Sequence, residues 1–261
     1  MHEKELFNAY KKIFCNTQPV WAQKKFNNTQ LIYPTIPFIG KNYDKYRVLI
    51  YASAENLTYI NKEGGLENDV YAINRHRNHF EHSKNNEGFP EVHCQPITDG
   101  GLTLAAAYIC QKLNIDMDYK EPKDFFECVS FGNFGKFSVQ SDYNKDYAKD
   151  IDKLKTSFDF IRADLSVLLP EYIIMPKTIF NNKCVKNLLS EYIELDNVVR
   201  IYQINAGVVN RTIKKLYPDP KKECDLRQPL LKWYEDYLDK PLKTNFLHVF
   251  AYLDKELQNI N

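Results

Sequence analysis

Glycine is scarce in this chain, at 9 of 261 residues. No P-loop and no Gly-rich dinucleotide fingerprint is present, so a glycine-cradled phosphate site is not expected. No Gly-x-Ser-x-Gly occurs either, which argues against an ordinary esterase-type serine nucleophile. Long apolar runs are also missing. The longest, Gly101 to Cys110, is far short of the roughly 18 residues that a spanning helix needs. The opening MHEKELFNAYKK mixes charge with apolar residues and has no signal-peptide core. A soluble, cytoplasmic protein without membrane contact is the expectation. The six cysteines include no CxxC pair, and Cys110 and Cys128 sit in apolar stretches, so reduced buried thiols are expected rather than disulfides. An excess of either charge is lacking too. Lys plus Arg is 35 and Asp plus Glu is 34, a net +1. That excludes a globally basic nucleic-acid coat but leaves room for a local basic groove.

Core-forming material is abundant. Hydrophobic residues make up 44%, with 18 Tyr and 16 Phe, which argues against disorder and coiled coil. No internal repeat, linker or low-complexity block breaks the chain. Four short apolar runs read as strands buried on both faces: 47–51, 125–131, 172–175 and 198–204. Helical patterns lie between and after them. The clearest is Ile151 to Leu169, where Leu154, Phe158, Ile161, Leu165 and Leu168 fall 4, 3, 4 and 3 apart, a single helix face closed by Pro170. Others are Leu102–Leu113, Lys183–Tyr192 and two patterns in the tail after Arg227. Strands alternating with helices predict a mostly parallel sheet covered on both faces. Ligands of such sheets bind beyond the carboxyl ends of the strands.

Those ends carry Glu55 and Asn56 after the first strand, Asn133 and Phe134 after the second, and Asn205 after the fourth. An Asn amide both donates and accepts hydrogen bonds, and Gly beside it permits close approach. Asn and Gly are also ordinary turn residues, and that reading stands beside the functional one.

The order and spacing of these segments resemble the uracil-DNA glycosylase superfamily. PTIPFIG looks like the approach segment, and RVLIYASAEN resembles the strand entering the water-positioning loop. FFECVSFGNFGKFS resembles the strand ending in a base-reading Asn, FDFIRADLSVLLPEYIIMPKTIF a helix–Pro–strand unit, and RIYQINAGVVNRTIKK the last strand and its loop. The resemblance implies a three-layer α/β/α fold with a central, mostly parallel four-stranded sheet. It divides a single domain, 1–261, into an N-terminal helical extension (1–33), a glycosylase-like core (34–216) and a C-terminal helical extension (217–261). It implies hydrolysis of an N-glycosidic bond after base flipping, with no cofactor and no metal, on single- or double-stranded DNA.

Residue by residue, the resemblance gives Glu55, Asn56 and Asn205 to catalysis and Asn133 to base reading. Phe134, Phe89 and Phe80 are candidate stacking rings, each also a candidate for plain core packing. Where the family has His-Pro-Ser the chain has Asn205-Ala206-Gly207, so the expected anion-stabilising His is absent there. The segment from Asn205 to Lys222 carries a local charge of +4. In it Val208 and Val209 could form an apolar wedge over a DNA-binding patch of Arg211, Lys214 and Lys215. Alternatively they begin a helix whose lysines are a solvated face. Arg75 and Arg77 are a candidate phosphate fork.

Two alternatives stand beside the glycosylase. One is a non-catalytic nucleic-acid or nucleotide binding module of the same fold. The other is a small-molecule hydrolase with a metal on His76, His79 and His82, completed by His93 or Cys94, although this spacing matches no established zinc signature.

Overall fold

The computed structural model describes residues 1–14, 18–26, 30–55, 73–84, 100–139, 147–204, 206–220, 225–237 and 246–258. In chain order the strands are β1 (Lys25–Phe26), β2 (Gln30–Leu31), β3 (Phe38–Ile39), β4 (Val48–Ala54), β5 (Val129–Gly135), β6 (Tyr172–Pro176) and β7 (Val198–Ile201). The longer helices are α1 (His2–Ile13), α2 (Arg75–Lys84), α3 (Gly100–Lys112), α4 (Phe158–Leu168), α5 (Lys183–Ser190), α6 (Leu230–Tyr237) and α7 (Phe246–Leu257). β1 and β2 form a small antiparallel ribbon.

The main sheet has the order β3-β5-β4-β6-β7. The last four strands run parallel to their neighbours, and β3 pairs antiparallel with β5. This is an α/β protein with a mixed sheet of five strands, where a mostly parallel sheet of four was expected. The extra strand is Phe38–Ile39, within the PTIPFIG segment. Phe38 lies opposite Phe131, and Ser130 Oγ donates to the Phe38 carbonyl at 2.8 Å.

Alternation along the strands divides the apolar side chains between two cores. Val48, Ile50 and Ala52 of β4 enter one, with Val129 and Phe131 of β5, α3, α6 and α7. Leu49 and Tyr51 enter the other, with Phe134, α1, α4 and α5. The terminal segments are integral to these cores: Leu6 and Tyr10 belong to one, Trp233, Phe250 and Leu253 to the other.

Several boundaries differ from the sequence-based expectation, each for a local reason. The second strand begins at Val129 rather than Phe125. Pro122 opens a 3-10 turn over Pro122–Cys128, with Glu121 and Asp124 forming a reciprocal capping box. The helix expected over 151–169 is two pieces, Ile151–Lys155 and α4. At the break, Thr156 Oγ1 donates back to the Lys153 carbonyl at 2.6 Å, and Ser157 Oγ accepts from the Lys136 backbone N–H at 2.9 Å. The apolar face survives the break, with Leu154, Ile161, Leu165 and Leu168 all buried. The last strand stops at Ile201 rather than Ile204.

Cys110 and Cys128 are free and buried, and Cys184 is exposed. Burial pushes the Cys128 thiol up to about 11 and the Cys110 thiol higher still. No described helix is long and apolar enough to cross a membrane.

Among the described glycines, Gly40 marks the tightest approach of backbone to backbone. A Cβ built there would lie 2.3 Å from the Phe126 carbonyl oxygen and 2.5 Å from the Glu127 carbonyl group. Gly40→Ala is therefore expected to destabilise the fold by roughly 1–3 kcal/mol. Chemical denaturation of the two proteins measures this, and coincident midpoints would show that the strand and turn move apart freely.

Candidate functional site

The strand order reverses at β4. The chain moves from β4 to β5 on one side, then returns across the sheet to β6 on the other. A ligand crevice on a parallel sheet is expected at such a point, outside the carboxyl ends of the strands. Glu55 lies at that point, one residue beyond β4. Its backbone N–H donates to the Gly135 carbonyl at 2.9 Å, which ties the end of β4 to the end of β5.

Glu55 is buried, and three side chains gather on it. Arg75, the first residue of α2, donates from Nε to Glu55 Oε1 at 2.9 Å. Asn133 Nδ2 donates to Oε2 at 2.9 Å. His76 Nε2 lies 3.3 Å from the same Oε2 and 3.3 Å from Asn133 Nδ2. His76 Nδ1 sits 3.4 Å from the Phe131 carbonyl, so both ring nitrogens face acceptors. Arg75 Nη1 also donates to the Tyr33 carbonyl at 2.6 Å. The Glu55 and Arg75 side chains are each 4% exposed.

The start of α2 is placed by Thr35. Its hydroxyl donates to the Ile73 carbonyl at 3.1 Å and accepts from the His76 backbone N–H at 3.3 Å. Phe80, one turn on, packs against Phe38, Phe126 and Phe131 and meets the His76 ring edge-to-face at 6.5 Å.

Burial alone would push the Glu55 carboxyl up. Arg75 and His76, then the hydrogen bonds from His76 and Asn133, outweigh it and hold the group well below the ordinary carboxylate value. Glu55 is therefore a fixed anion. Alongside, Ser53 Oγ donates to Gln203 Oε1, linking β4 to the chain just past β7.

The structure thus brings Glu55 and Asn133 together and adds Arg75 and His76, which the sequence placed in other roles. Arg75 and Arg77 do not form a phosphate fork: Arg75 is committed to Glu55, and Arg77 Nη1 is paired with Glu3 at 2.6 Å. Phe134 is a core ring, not a stacking platform beside Asn133. The pleat points it to the opposite face of β5, against Tyr51 at 5.6 Å. Phe80 is likewise walled in by three phenylalanines.

Val209 is no exposed wedge. Residues 206–216 are helical with a π-helical turn at 209–213, and Val209 and Ile213 are fully buried while Val208 packs at the edge of the core. Such a turn beyond a strand end is frequent at functional sites. Its outer side carries exposed Arg211 and Lys215 and half-buried Lys214. Arg211 Nε donates to the Gly207 carbonyl at 3.2 Å.

Asn56, Phe89, His93, Cys94, Asn205, Lys221 and Lys222 lie outside the described residues, as do the side chains of His79 and His82. No group of three His, Cys, Asp or Glu able to hold a metal occurs among the described residues. His76 is turned onto Glu55 and the Phe131 carbonyl.

No protein-family model matches the chain, and neither does any curated protein or solved structure.

Removing Arg75 while leaving Glu55 strands a buried charge. Arg75→Met is expected to cost about 3–5 kcal/mol in unfolding free energy. The pH dependence follows from the depressed Glu55 value. Its stabilisation is complete above the ordinary carboxylate value of 4.5 and is lost as pH falls below it, because only the unfolded chain takes up the proton. Glu55→Gln should therefore flatten the acid limb of the stability curve by up to about 1.4 kcal/mol per pH unit. Denaturation from pH 3 to 7 tests this (about one carboxylate's titration range either side of 4.5); an unchanged acid limb would mean that Glu55 is not held ionised.

Proposed function

We propose that this chain is a uracil-DNA glycosylase-like protein with a three-layer α/β/α fold. In this reading it takes a deaminated or damaged base, flipped out of DNA, at the carboxyl edge of β4 and β5. The observation that carries the reading is the 2.9 Å contact between Glu55 and Asn133. These residues are 78 apart in sequence and were singled out separately, one as water-positioning and one as base-reading, and they share one site.

Excision hydrolyses the bond between the sugar C1′ and the base. Positive charge develops on the sugar and negative charge on the leaving base, while water supplies the hydroxyl that joins C1′ and the proton that the base finally carries. Glu55 is a permanent anion beside which the sugar cation would be stabilised. Asn133 makes its side-chain contacts with described residues through Nδ2, which leaves Oδ1 to accept from a base N–H. His76 would donate to the leaving base, in place of the family's His-Pro-Ser histidine, by giving up its contact with Glu55 Oε2 or with the Phe131 carbonyl. Arg211, Lys214 and Lys215 supply phosphate contacts on the flank.

One observation favours recognition without efficient cutting as a second reading. Glu55 already accepts from Arg75 and Asn133 and faces His76, so it has little capacity left to draw a proton from water.

A uracil-containing single strand distinguishes these readings. Wild-type protein should release uracil, Asn133→Ala should abolish release, and His76→Ala should slow it about 10²–10³-fold. Binding without release supports the second reading. In either case, replacing Arg211, Lys214 and Lys215 by Ala should reduce the slope of log affinity against log salt by about 2. A protein that neither binds nor cuts single or duplex DNA carrying uracil, hypoxanthine or oxidised bases has some other function.

A further inference from the structure

On the opposite side of β4 and β5 from Asn133 lies a second buried polar group. Lys136, the residue that follows β5, and Asp164 of α4 have side chains 0% exposed, with Nζ to Oδ2 at 2.7 Å. Asp164 accepts two further hydrogen bonds. One comes from the Tyr51 hydroxyl of β4 at 2.9 Å and the other from the Tyr10 hydroxyl of α1 at 2.7 Å. The Lys136 ammonium also stands 5.5 Å from each tyrosine ring. Burial pushes both hydroxyls well above the ordinary tyrosine value and draws the lysine down, the lysine being held partly by Asp164.

A buried ion pair is seldom a net source of stability, because desolvation offsets the attraction. Its location gives it another use. Lys136 comes directly after Gly135, whose carbonyl receives the Glu55 backbone N–H at 2.9 Å. The Lys136 backbone N–H is itself held by Ser157 Oγ at 2.9 Å. Tyr51 lies on β4, four residues before Glu55, and Lys136 comes three residues after Asn133. Asp164 therefore grips both strands that deliver Glu55 and Asn133, from the face that the site does not use. Gly135 adds a constraint at the same point, since a Cβ there would lie 2.9 Å from Ala54 Cβ.

We infer that Lys136 and Asp164 are positioning residues: their pairing, with Tyr51 and Tyr10, sets the relative height of the ends of β4 and β5 and so the contact between Glu55 and Asn133. Both side chains are sealed from solvent, so neither is placed to meet a ligand. The inference does not rest on the glycosylase reading, since it concerns the geometry of the unliganded site.

The test is made on the full chain. The readouts are thermal stability and the side-chain amide NMR signals of Asn133, assigned by their loss in Asn133→Ala. Glu55→Gln provides the reference position for an amide that no longer faces a carboxylate. The double variant Lys136→Met/Asp164→Leu removes the charges as a pair, which commonly preserves folding. The expected result is a cooperative melt near that of the wild type with the Asn133 signals moved toward the Glu55→Gln position. A folded double variant with the Asn133 signals unmoved would overturn the inference and leave the pair a purely structural element. If the double variant does not fold, Tyr51→Phe is read in the same way, because it removes one donor from Asp164 and keeps the ring. A partial move of the Asn133 signals then supports the inference, and an unmoved pair overturns it.

Discussion

A carboxylate taken out of water has to recover its hydration from neighbours, and in this protein that requirement organises the working edge of the sheet. Glu55 has Arg75 on one oxygen and Asn133 and His76 on the other. The partners come from the start of α2 and from β5, and satisfying one anion at the end of β4 therefore fixes three backbones relative to each other. The start of α2 is pulled against the ends of β4 and β5, and through Arg75 Nη1 it is also tied to the Tyr33 carbonyl ahead of β3. Without an ionised Glu55, Arg75 would lose its buried counter-charge.

The same strands carry a second pair of opposite charges on their other face, where Lys136 and Asp164 are sealed from solvent. Two buried ion pairs on either side of two strands are a poor recipe for stability alone, since apolar residues of similar volume fill such space at lower cost. Charge pairs have one property that apolar packing lacks, because their energy falls steeply with misalignment. Leucine tolerates sliding by an ångström. A 2.7 Å hydrogen bond with two further donors on the same carboxylate does not.

Much of the fold was legible in the residue pattern because burial on both faces leaves a direct trace. RVLIY, YIIM and VVRI have no polar alternation, and they form the central strand β4, its neighbour β6 and the edge strand β7. Elements whose ends are decided by side chain–backbone chemistry were less legible. FFECVSF is apolar throughout, yet Pro122 and the Glu121–Asp124 box wind its first half into a 3-10 turn. The 151–169 pattern is continuous in periodicity, but the hydroxyls of Thr156 and Ser157 take backbone partners and divide it. Two residues of β3 are too short a stretch to show a period at all.

The candidate site was half legible. Glu55 and Asn133 could be named because strand ends on a parallel sheet are where polar residues have a ligand to meet. His76 and Arg75 were visible only as members of a run of basic residues, RHRNH, in a stretch without strong periodicity. Composition did hold one signal. Arginine is rare in this chain, at 7 of 35 basic residues, and a carboxylate at the end of an apolar strand calls for a cation of fixed geometry once it is buried. A guanidinium meets that need better than an ammonium, because it is planar, always charged and weakly hydrated. Phe134 shows the opposite failure, since adjacency in sequence suggested a ring beside Asn133, while the period of two in a strand places neighbours on opposite faces. The chain is nearly neutral overall, and its most deeply buried charges are spent on one another. On the base-recognition reading the exposed Arg211 and Lys215 on the outer side of the helical segment after β7 would meet the phosphate backbone, and affinity would rest on contacts to the base more than on the surface field.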